Sequence, residues 1–104
     1  MPGGRPDIEV VDPSRVRSFL RQFAWADPRL RDVLSVLTLE EIALLFFLHL
    51  AADRHGCSFW SDATLAKRLP LREEDIRKAR AGLVQKDLVA YRYPLYQILA
   101  MEGP

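Results

Sequence analysis

From residue 42 to 48 every side chain is apolar (IALLFFL), and Leu50 continues the run after His49. Just before it stands Thr38-Leu39-Glu40-Glu41, a pattern in which the Thr hydroxyl and a Glu carboxylate can each satisfy a free amide at a helix start. The two features together predict a helix over 38–54, with Gly56 as its terminator. A helix apolar on every side must be buried on every side. It is too short to span a membrane, which takes about 20 residues. The chain must therefore pack on this helix from two directions. The segment that follows can cover one side. The N-terminal segment, or a second subunit, must cover the other. Phe46 and Phe47 point to different sides, so both rings are predicted to be largely buried.

The N-terminal segment carries its own punctuation. Asp12-Pro13 and Asp27-Pro28 each read as an N-cap followed by Pro at the first helical position. They predict helices over 13–26 and 28–36. Val16, Phe19, Leu20 and Phe23 make the apolar face of the first, with Arg15, Arg17 and Arg21 elsewhere on its surface. Leu30, Val33, Leu34 and Leu37 form the apolar side of the second. Residues 1–12, with Pro2, Gly3, Gly4 and Pro6, read as a flexible arm. The expected organisation is an arm (1–12), N-terminal helices (13–37) and a compact unit (38–100), all within one domain of 104 residues.

Residues 61–88 (SDATLAKRLPLREEDIRKARAGLVQKDL) hold two short amphipathic helices with a corner at Pro70. Leu65, Ala66 and Leu69 share a face of the first; Ile76, Ala79 and Leu83 share a face of the second. Leu71 is placed to plug the corner. Ser61 is an N-cap. Gly82 interrupts the second helix at a cost of about 1 kcal/mol relative to Ala, which marks close packing against the central helix. Two strand-like runs follow, LVAYR (88–92) and LYQIL (95–99), separated by Tyr93 and Pro94. Residues 57–60 are a third strand candidate, able to pair with them.

Counting from Ala66, apolar residues recur at Leu69, Leu71, Ile76 and Ala79, a spacing that resembles the helix-turn-helix of DNA-binding proteins. The two strands after it resemble the wing of a winged helix. The resemblance covers roughly 38–100. It implies a mainly α fold with a small antiparallel β wing, here a winged helix-turn-helix with extra N-terminal helices. One position departs from the family: the corner, usually Gly, is Pro70. Pro cannot take a positive φ and pushes Leu69 toward extended geometry, so the turn takes another form.

By the same resemblance the second helix of the motif faces the major groove. Arg72, Arg77 and Lys78 on its exposed side could then contact base edges or phosphates. Lys67 and Arg68, at the end of the preceding helix, could reach phosphate, as could Arg92 and Tyr93 at the wing tip. Each has a structural alternative. Glu73–Arg77 and Glu74–Lys78 are i,i+4 pairs in the favourable orientation. Glu73, Glu74 and Asp75 suit the positive end of the helix dipole and would meet DNA phosphate with like charge. Tyr91, Tyr93 and Tyr96 are equally good strand or protein-interface residues. Arg80 and Lys86 flank the face.

Composition narrows the function classes only a little. The net charge is +1; residues 1–60 balance at −1 and 61–104 at +2. Many nucleic-acid-binding domains are clearly basic. A single cysteine, Cys57, allows no intrachain disulfide and fits a reducing compartment. With no basic segment and apolar run at the start, the sequence predicts a cytoplasmic location and no membrane association. His49, His55 and Cys57 are too few for a structural zinc site. No nucleophile triad or phosphate-cradling loop is visible. Neither an enzyme, nor a cofactor, nor a small-molecule substrate is therefore expected. The leading expectation is duplex DNA binding by a small transcriptional or replication regulator. The alternative is an interaction or dimerisation module that does not bind DNA. A homodimer is expected, because the apolar residues of the N-terminal segment exceed what one small core needs.

Overall fold

The computed structural model describes residues 10–16 and 24–101. Helix α1 (Leu39–Ala51) is the centre of the fold. The Thr38 hydroxyl accepts from the Glu41 N–H and the Glu41 carboxylate accepts from the Thr38 N–H, each at 3.0 Å. The predicted capping box is therefore present at the predicted place. Leu44, Leu45 and Leu48 lie buried on one face. Helices α2 (Asp62–Arg68) and α3 (Glu73–Gln85) complete the helical layer. Leu65, Ile76, Ala79 and Leu83 are buried in one cluster with the α1 leucines, and Leu69 and Leu71 pack against it.

Strands β1 (Cys57–Phe59), β2 (Val89–Arg92) and β3 (Leu95–Ile98) form an antiparallel sheet in the order β1-β3-β2. The register sets Ser58 against Tyr96 and Tyr91 against Tyr96. Val89 and Tyr96 close the core from the sheet side. Among the described residues the architecture is mixed: three α-helices and a small three-stranded sheet around one core. Among the described residues no helix is long and apolar enough to cross a membrane.

Three expectations about secondary structure need correction. First, Gly56 does not end α1. The helix stops at Ala51, with Ala52 extended. The Asp53 side chain then accepts from the His55 and Cys57 N–H groups, turning the chain into β1. Gly56 (φ +83°) instead serves the sheet: a Cβ there would come within 2.9 Å of the Ile98 carbonyl oxygen. Second, residues 28–36 are two short 3₁₀ turns, Pro28–Asp32 and Leu34–Val36, rather than a helix. Their hydrogen bonds close over three residues (Val33 N to Leu30 O, Leu37 N to Leu34 O), as is common in segments too short to nucleate an α-helix. Leu30, Val33 and Leu37 still pack on the core, but Leu34 is exposed. Third, the helix expected over 13–26 begins as a 3₁₀ turn, Pro13–Arg15, and the backbone is extended at Val16. Residues 24–27 are not helical, consistent with Pro28 disfavouring helical geometry at Asp27. Arg17, Phe19, Leu20, Arg21 and Phe23 lie outside the described residues, as do residues 1–9 of the predicted arm.

Phe47 and Phe46 part company. Phe47 is half-buried and meets Trp60 edge-on, ring centroids 4.9 Å apart. Phe46 is 64% exposed, contrary to expectation. Leu30, Val33 and Leu37 of the N-terminal segment pack against the core, and the Phe46 side of α1 is left open.

Candidate nucleic-acid interface

The corner between α2 and α3 shows how Pro70 is accommodated. Ser61 caps α2, its hydroxyl accepting from the Thr64 N–H at 3.1 Å. The helix ends at Leu69, which is extended (φ −120°, ψ 151°) as the following proline requires. The Leu71 N–H then donates to Leu69 O at 2.7 Å, a three-residue turn about Pro70. Arg72 precedes α3, and the Asp75 carboxylate accepts from its N–H at 3.1 Å. The corner thus holds Lys67 and Arg68, at the end of α2, a few residues from Arg72.

A partly buried polar hub fixes α3 to α2 and to the sheet. The Arg80 guanidinium donates to Asp62 of α2 at 2.6 Å and to the Tyr96 hydroxyl of β3 at 2.7 Å. It also lies 4.2 Å from the centroid of the Tyr91 ring. Burial works against the Arg80 charge, but the bonds to Asp62 and Tyr96 outweigh it and hold its pKa above the ordinary value. Burial pushes the Tyr96 phenol up, against the opposing pull of Arg80. Arg80 thus acts inside the fold, and Tyr96, fully buried, is no surface residue. Its partners lie 16 and 18 positions away in sequence. No local pattern could have shown the pairing.

The seven candidate contact residues are all exposed, and the six cations among them fall into two groups. On α3 the cations are already engaged. Arg72 pairs with Asp75 at 3.3 Å and reaches Glu74 at 3.9 Å; Lys78 pairs with Glu74 at 3.8 Å. The side-chain bond from Arg72 is the main cause holding the Asp75 carboxyl below its ordinary range. Arg77 lies 3.9 Å from Asp62, not paired with Glu73 as its spacing suggested. These exposed pairs are weak, because solvent screens them, so another anion could replace the carboxylates. The surface of α3 is nonetheless a patchwork of both signs.

Lys67, Arg68 and Arg92 form the second group, with no ion-pair partner among the described residues. The Arg68 guanidinium lies 5.9 Å from the Trp60 ring centroid, and the Trp60 backbone N–H donates to the Pro94 carbonyl oxygen at the hairpin tip at 3.0 Å. Trp60 therefore stands between the end of α2 and the tip that carries Arg92 and Tyr93. Tyr93 is 70% exposed. Sequence reasoning named both ends of this arrangement but not the Trp60 link. Among the described residues no group of three or more His, Cys, Asp or Glu could hold a metal ion. No family model, curated protein or solved structure matches this chain.

Proposed function

We propose that this chain is a winged helix-turn-helix protein that binds duplex DNA, as a small regulator of transcription or replication. The observation that carries the reading is the set of exposed cations Lys67, Arg68 and Arg92, which have no ion-pair partner among the described residues, at the end of α2 and at the tip of the β2–β3 hairpin. Cations at these two places can contact backbone phosphates while α3 meets the groove. Arg72, Arg77 and Lys78 then exchange weak internal pairs for contacts to bases or phosphates.

Fluorescence anisotropy on labelled duplexes tests this. Arg92→Ala is expected to weaken binding almost equally on all sequences and to reduce the salt slope by about 1. Arg77→Ala is expected to cost about 1–3 kcal/mol on the preferred site and much less elsewhere. Glu73→Gln with Glu74→Gln is expected to tighten non-specific binding by removing repulsion.

A second reading is supported by the ion pairs themselves. Glu74, Asp75 and Asp62 occupy the α3 cations internally, as they would in an interaction module that does not touch DNA. On that reading the three substitutions leave DNA binding unchanged because there is none. Tyr93→Ala, at the exposed tip, then disturbs assembly instead.

A further inference from the structure

Helix α1 has two apolar faces, and the described chain buries one of them. Glu41, Leu44, Leu45 and Leu48 point into the core. Leu39, Ala43, Phe46 and Leu50 lie on the opposite side of the helix, about 180° round its axis. Leu39 is 81% exposed and Leu50 57%, beside Phe46. Their spacings of four, three and four residues are those of a coiled-coil seam. Alongside runs an apolar groove of about 370 Å³, lined in part by Trp25, Leu34, Ile42, Phe46 and Leu50.

We propose that a second copy of this chain occupies this face, with α1 packed antiparallel on α1 of its partner about a two-fold axis. The seam is self-complementary in that arrangement. With the axis level with the midpoint of Leu44 and Leu45, Leu39 faces the partner's Leu50, and Ala43 faces the partner's Phe46. The largest side chain of the seam meets the smallest at both crossings, as knobs meet holes. The two-fold also brings both grooves to the same side of the seam, so Trp25 and Leu34 extend the contact.

Charge and area select the same occupant. From 42 to 50 there is no Asp, Glu, Lys or Arg, so the face meets its own copy without repulsion. The exposed parts of Leu39, Phe46, Leu50, Trp25 and Leu34 amount to on the order of 600 Å², against about 800 Å² per partner in a stable interface. That is also as large as the largest apolar patch of a typical monomer, about 300–600 Å².

Sedimentation velocity on the full chain, over a wide concentration range, tests the proposal. The wild type is expected to reach twice 11.9 kDa. Phe46→Glu is expected to stay at the mass of one chain with unchanged far-UV circular dichroism, because its ring is exposed in the single chain. Leu39→Lys and Leu50→Glu are each expected to weaken association about tenfold or more. Combined in one chain they place opposite charges face to face in the antiparallel register and restore it. A double variant that stays dissociated while each parent still dimerises weakly overturns the register. A dimer that survives Phe46→Glu overturns the face. A wild type that stays at monomer mass at high micromolar concentration overturns the proposal, and the face then belongs to another protein or to another part of this chain.

Discussion

Gly82 and Glu41 meet across the α1–α3 contact. A Cβ on Gly82 would fall on Glu41 Oε2 and lie 2.8 Å from its Cδ. The carboxylate cannot easily move aside, because it accepts from the Thr38 N–H at 3.0 Å and pairs with Lys86 Nζ at 2.6 Å. In an exposed helix Gly→Ala gains about 1 kcal/mol. Here overpacking costs about 1–3 kcal/mol, and displacing a charged hydrogen bond costs about 1.5–3 kcal/mol. Gly82→Ala is therefore expected to destabilise by about 1.5–5 kcal/mol net, read from urea unfolding; a stabilised variant would show that Glu41 yields. Tyr96 gives a pH signature. Its phenol is pushed up by burial, so the folded state keeps a proton that the unfolded chain releases near pH 10. Its stabilising contribution is complete below about pH 10 and is lost as pH rises toward the folded value. Tyr96→Phe is expected to flatten that alkaline loss and to cost about 1–2 kcal/mol at neutral pH, because Arg80 loses an acceptor. Unfolding midpoints measured from neutral to strongly alkaline pH would show both.

At the scale of elements, α1 separates two substitutions that the sequence treats alike. Phe47→Ala removes a half-buried ring that packs on Trp60. It is expected to cost about 2–3 kcal/mol, below the 3–5 kcal/mol of a fully enclosed Phe. Phe46→Ala at high dilution is expected to stay within about 0.5 kcal/mol of wild type, as surface changes do. Equal losses at the two positions would mean that the chain itself covers Phe46. What was legible in the sequence is what short-range chemistry decides. The Thr38–Glu41 box, the Ser61 cap, the extended Leu69 before Pro70 and the pairing of residues 57–59 with the hairpin all follow from signals a few residues long. The inward set Leu65, Ile76, Ala79 and Leu83 follows from helical periodicity. What was not legible depends on distant partners. Arg80 reads as a flanking surface cation until Asp62 and Tyr96 are brought beside it. Gly56 reads as a helix stop until Ile98 is seen against it. The apolar run of α1 reads as wholly buried, because sequence counts apolar residues but not the neighbours available to cover them.

At the scale of the whole molecule, the hub of Asp62, Arg80, Tyr91 and Tyr96 makes α2, α3 and the sheet one body. The candidate cations therefore sit at fixed positions relative to one another: Lys67 and Arg68 at the end of α2, Arg72 after the corner, and Arg92 at the hairpin tip. If α1 pairs with its copy as proposed, two such surfaces are carried by one dimer. Half-sites about one helical turn apart, about 34 Å, are the spacing at which both could be used.

The most direct measurement is the affinity of the wild type for random duplex fragments as a function of salt. Electrostatic attraction is strong at about 50 mM salt, and the log of the binding constant falls by about 0.9 per phosphate contact for each unit of log salt. The proposed DNA binding predicts measurable affinity at that salt with a slope of about −3 or steeper, made shallower when Lys67, Arg68 and Arg92 are replaced together by Ala. No binding by the wild type at about 50 mM salt would contradict it and favour the interaction module.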